Sequence, residues 1–154
     1  PLAEDALSES RAAAQGGVTS SLNYMRTGGY YMQKGGPYSQ VYQEVLDISK
    51  DRFYVDYAYH LAPLDRTHIG EIDMLIDKYG VTSFKIFMFY GGYGLHGASS
   101  SQHEFLMIGK DEKYDIAHFE FVMRGVQRAM QRHPGKKAAI SRSLHCELAE
   151  ILAA

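Results

Sequence analysis

Apolar and polar positions along this chain follow two periods that take turns. Residues 2–15 place Leu2, Ala6, Leu7, Ser10, Ala13 and Ala14 on one side at helical spacing, and Gly16-Gly17 stops the run. Val18 to Met25 reads as a short strand, and 27–38 as a loop with four glycines, three tyrosines and Pro37. Pro37 suits a helix start, after which Val41, Val45 and Ile48 form an apolar stripe. Phe53 to Ala62 then alternates: Phe53, Val55, Tyr57, Tyr59 and Leu61 share one face, and Tyr54, Asp56, Ala58, His60 and Ala62 the other. Pro63 ends that strand. Asp65 or Thr67 can cap a third helix, with Ile69, Ile72, Leu75, Ile76 and Tyr79 on its buried side and Gly80 at its close. Val81 to Tyr90 is a run of β-branched and aromatic residues, the signature of a buried strand. A polar, glycine-bearing connection over 91–117 follows, of a length that is usually functional. Phe119, Val122, Met123, Val126 and Met130 define a fourth helix ended by His133-Pro134-Gly135. Ala138 to His145 is a last strand, and a further helix is expected from Cys146.

Helices and strands thus alternate regularly, which predicts right-handed crossovers and a parallel sheet. Two architectures satisfy that order, an open doubly wound sheet and part of a (β/α)8 barrel. No G-x-G-x-x-G follows a strand and no G-x-x-x-x-G-K-[ST] occurs, so the usual nucleotide sites have no support. A whole barrel takes about 250 residues, so 154 residues correspond to roughly half of one, in a single partial domain over 1–154.

One residue breaks the apolar run at 81–90: Lys85. An ammonium in a packed strand is costly unless it is paired, neutralised or altered, so Lys85 is either a side chain reaching solvent from an edge strand or a lysine kept for chemistry. In parallel α/β folds sites form at the carboxyl ends of strands, and Asp56 with His60, Lys85 with Tyr90, and His145 with Glu147 lie near such ends. By parity Lys85 shares a face with Val81, Ser83 and Phe87, and His145 with Ala139, Ser141 and Ser143. These small and hydroxyl residues suit a crowded polar interior, whereas Arg142 on the opposite face of that strand has no such explanation. An uncharged lysine is a nucleophile, and with carbon dioxide it gives a carbamate, a carboxylate on a long arm able to bridge two metal ions. His145 on the next strand would add imidazole nitrogen. His68, His96, His103, His118 and His133 lack ligand-like spacing and read as surface.

Composition removes other classes. The net charge is −2, no Lys/Arg cluster exceeds two neighbours, and no apolar run approaches the roughly 20 residues of a membrane span. Neither nucleic acid nor a membrane is an expected partner. The single cysteine, Cys146, and the absence of a leader-like opening fit a cytoplasmic setting. The 12 tyrosines and 15 glycines, many of them at 28–38 and 90–97, are compositions of binding loops.

Arg11-Ala12-Ala13-Ala14-Gln15-Gly16-Gly17-Val18-Thr19, Asp56-Tyr57-Ala58-Tyr59-His60, Gly80 to Tyr90 and His145-Cys146-Glu147 follow in order, with S-F-K-x-F-M-x-Y the most specific pattern. Together they resemble the dihydropyrimidinase and hydantoinase branch of the cyclic amidohydrolases. The resemblance implies a partial (β/α)8 barrel, about strands two to five, from an enzyme that opens cyclic amides or ureides with metal-activated hydroxide. It implies that Lys85 is the carboxylated lysine bridging two divalent metal ions, zinc by expectation. It makes His145 a metal ligand and Tyr90 the contact to substrate and oxyanion. The family's H-x-H pair, a further histidine and its catalytic aspartate have no counterparts here, so this chain alone is expected to be inactive and to bind zinc weakly at most. His145-Cys146-Glu147-Leu148 also departs from the family's H-A-E-N. Two other readings stay open: a non-catalytic dihydropyrimidinase-related scaffold, and a hydrolase directed at allantoin or dihydroorotate. A half barrel leaves two sheet edges unpaired, so a homo-oligomer is expected.

Overall fold

The computed structural model describes residues 2–28, 31–87 and 116–146. Over these the chain runs α1 (Leu2–Gln15), β1 (Ser20–Met25), α2 (Tyr38–Ser49), β2 (Asp56–Leu61), α3 (Arg66–Gly70), α4 (Ile72–Tyr79), β3 (Ser83–Phe87), α5 (Ile116–Arg132) and β4 (Ser141–His145). A short 3₁₀ turn, Pro134–Lys136, separates α5 from β4. The four strands form one parallel sheet in chain order, β1-β2-β3-β4. The α/β class and the parallel sheet follow the alternation in the sequence.

The two sheet faces differ sharply. Met25, Tyr59, Leu61, Phe84 and Ile86 point to one side and are buried. They pack into a core with Val41, Tyr42 and Val45 of α2, Ile72, Leu75 and Ile76 of α4, and Phe119, Val122 and Val126 of α5. Leu22, Tyr24, Ala58, His60, Lys85, Phe87, Ser143 and His145 point to the other side, and every one of them retains solvent exposure. The helices that cover the sheet therefore cover its first face.

Several local devices fix this arrangement. Glu71, between α3 and α4, turns its carboxylate onto the start of α2, accepting from the Tyr38 N–H at 2.7 Å and the Ser39 N–H at 2.9 Å. Pro37, the residue before α2, offers no side-chain cap, so Glu71 satisfies helix donors that the preceding residue leaves open. The third helix expected from the sequence is accordingly two segments. Gly70 is a weak helix former, and the turn at Glu71 frees its carboxylate for α2. Asp65, not Thr67, caps α3 through the His68 N–H at 2.8 Å. Gly80 ends α4 at φ 68°, a conformation that favours glycine. At Gly125 a Cβ would lie 3.0 Å from both Ile69 Cγ2 and Ile72 Cδ1, so this glycine lets α5 sit close against α3 and α4.

Other differences have simple causes. Leu7 is 43% exposed although it lies at helical spacing, because α1 buries only Leu2, Ala6 and Ser10. β2 begins at Asp56, not Phe53. Phe53 instead stacks on Tyr57 with ring centroids 4.1 Å apart. Tyrosines form a packed layer behind the sheet as well as lining loops: Tyr42 meets Tyr38, Tyr59 and Tyr79 edge-on. The Tyr38 hydroxyl is buried between Met25 O at 3.3 Å and Ala62 O at 2.9 Å, and burial raises its pKa. The expected connection at 91–117 lies almost wholly outside the described residues, as does the helix expected after Cys146.

Candidate functional site on the open sheet face

Strand register arranges the open face in rows. Tyr24 pairs with His60 across β1 and β2, and Ser83 pairs with Ser141 across β3 and β4. β2 and β3 share one registered pair, Leu61 with Phe84, which brings His60 beside Ser83. The Ser83 hydroxyl lies 2.5 Å from His60 Nδ1 and 3.1 Å from the Ser141 hydroxyl, so hydrogen bonds link side chains of three strands. The next row holds Lys85 paired with Ser143, and the row beyond it Phe87 paired with His145.

Lys85 and His145 thus share a face on adjacent strands, one diagonal step apart. With strands about 4.8 Å apart and a rise of about 3.3 Å per residue, such a step separates Cα atoms by roughly 8 Å. Both side chains gather on Phe87. Lys85 Nζ lies 4.9 Å from that ring's centroid, and the His145 ring is 4.9 Å away at 43°. Tyr24 closes the other side of Phe87 edge-on at 5.1 Å. The amine therefore rests against an aromatic face, a favourable place for a cation. Its charge reaches His60, whose pKa is lowered first by burial and then by Lys85.

Of the residues singled out from the sequence, Lys85, His145, His60, Ser83, Ser141 and Ser143 come together here. Tyr90 and Glu147 lie outside the described residues. Asp56 does not belong to the site: it opens β2, at the end of the sheet opposite His60. Parity put Asp56 and His60 on one face, but four residues of strand separate them.

The sequence reading missed two groups. Arg26 follows β1 directly, is 3% exposed, and holds its guanidinium 5.8 Å from the Tyr31 ring centroid. Its signal was its place at the carboxyl end of a strand, in phase with Leu22 and Tyr24. His68 is no surface residue at 2% exposure. Its Nδ1 accepts from the Leu64 N–H at 3.1 Å and its Nε2 donates to Gly36 O at 2.8 Å. The Asp65-x-x-His68 spacing, a reciprocal cap in which the third helical residue reaches back, was the available sign. His118 and His133 are also partly buried, His118 against Pro63 O at 2.9 Å and His133 between Asp73 and Asp77. His96 and His103 lie outside the described residues.

No family model, no curated protein and no solved structure matches the chain. For a metal, the donor set of the open face is compatible but incomplete. His145 could supply a nitrogen, and Lys85 a carboxylate if its amine were converted to a carbamate. Among the described residues no three His, Cys, Asp or Glu side chains converge on one point.

Proposed function

We propose that the open face is part of the active site of a metal-dependent amidohydrolase acting on cyclic amides or ureides, within a (β/α)8 barrel. The observation that carries this reading is the convergence of Lys85 and His145 on Phe87, at neighbouring strand ends of a face that no described helix covers. The sequential strand order and the one-sided helix layer support a barrel segment over a doubly wound sheet, whose helices would lie on both faces. In this reading Lys85, as its carbamate, and His145 would hold divalent metal, which when bound would supply activated hydroxide. Carbamate formation joins the uncharged amine to carbon dioxide through a new N–C bond with loss of one proton. The row His60–Ser83–Ser141 is polar and lies one step before Lys85 on the same face, and the amine rests over the Phe87 ring. Tyr90 is the proposed substrate contact. The further ligands and the general base come from outside the described residues.

Zinc competition against a chromophoric chelator tests this. Weak binding is expected, strengthened by bicarbonate and lost in both Lys85→Ala and His145→Ala. Affinity unchanged in either variant would overturn the assignment.

A further inference from the structure

We propose that two copies of this chain close on each other, β4 of one beside β1 of the next, into a single eight-stranded parallel barrel with its helices outside. The proposal stands on topology and charge and does not depend on the chemistry proposed for the open face.

Both β1 and β4 have a neighbour on one side only among the described residues, and an unpaired strand edge seeks a partner. All four strands run parallel in chain order, so the edge of β4 continues onto a β1 with no change of direction. Four described strands per copy give the number at which this architecture closes. A two-fold axis along the barrel would make both β4–β1 seams equivalent and leave no edge.

The flanks of the two edges are complementary. The cleft between α1 and β1 carries Asp5 and Glu9 with Ser21 and Asn23. The cleft beside β4 and α5 carries Lys137, Arg142 and Arg124, with Arg124 also paired to Glu120. α1 precedes β1, so in a closed barrel it lies over the seam and faces α5 of the other copy. That position gives Arg142 a purpose. It points to the helix side of an edge strand and stays exposed here, whereas in the closed form it meets the acidic flank of α1. Exposed apolar side chains also occur at β1, Val18 just before it and the open-face Leu22 within it, which is 50% exposed. Closure would bring the open faces together, placing two Lys85 and two His145 in one interior.

Sedimentation equilibrium on the whole chain tests this, together with thermal melts that confirm each variant folds. The expected mass is twice the 17.3 kDa of one chain, without larger species. Arg142→Glu with Lys137→Glu should weaken association about tenfold or more, and so should Asp5→Lys with Glu9→Lys. The four changes combined should restore it, because both seams regain opposite charges. A monomer at all concentrations, an open series of trimers and longer species, or a dimer indifferent to these charges would overturn the proposal.

Discussion

The closed and open faces of this sheet are built from the same strands, residue by residue in alternation, yet they obey different rules. Leu61, Phe84 and Ile86 have no neighbours but side chains, and their identity is set by volume and apolarity. His60, Ser83, Lys85 and His145, one residue away along the backbone, are polar and keep contact with solvent or with each other. A face that served only stability would gain nothing from an ammonium, two imidazoles and three hydroxyls. The difference separates the side of the sheet that packs from the side on which the proposed chemistry would take place.

Substitutions should separate the two faces by size of effect. Phe84→Ala removes a fully enclosed ring and is expected to lower stability by about 3–5 kcal/mol in urea denaturation. Lys85→Ala on the open face should cost less than about 1 kcal/mol. Comparable losses at both positions would mean that the open face is a second core and would end the comparison.

Tyr38→Phe comes next. It removes the hydroxyl that donates to Ala62 O and accepts from the Ala62 N–H at 3.2 Å, beside the end of β2. A loss of about 1–2 kcal/mol is expected in the same measurement, since buried backbone groups lose a partner. Glu71→Ala uncaps α2 and should cost about 1 kcal/mol. Its signature is faster amide exchange at Tyr38 and Ser39, and unchanged exchange there would show that the cap is dispensable.

The smallest effect belongs to the open face and depends on pH. His60 has its folded pKa lowered, by burial and then by the Lys85 charge, so the unfolded chain takes up the proton more readily. Its contribution is whole above the unfolded value of about 6.5 and is lost as pH falls from there toward the lowered folded value. A shallow decline in stability over that window is expected in the wild type and absent in His60→Gln. Lys85→Met should narrow it by removing one of the two causes. A wild type as flat as His60→Gln would show that His60 is not held neutral by its surroundings.

What the sequence made legible follows the same division. Strand alternation is a local property, so parity alone put Lys85 with Ser83, His145 with Ser141 and Tyr59 with Leu61, each pair on one face of its own strand, while the register between strands joined the first two pairs on one side of the sheet. The helices carried their 3.6-residue stripes openly. What escaped were features settled between distant segments. Glu71 reads as one more polar helical residue until α2 is placed beside it, and His68 reads as exposed until Gly36 and Leu64 close over both its nitrogens. The stagger between β2 and β3, which sets His60 against Ser83, is likewise a tertiary fact. Asp56 shows the limit of parity, which gives the face of a strand but not the end of it.

We propose that Lys85 becomes a carbamate held by metal. Carbon-13 NMR of the chain in labelled bicarbonate, with and without zinc, tests it most directly. A carbamate resonance that appears on adding zinc and is absent from Lys85→Arg is the expected result. No carbamate resonance with zinc present, or one that persists in Lys85→Arg, would contradict the account.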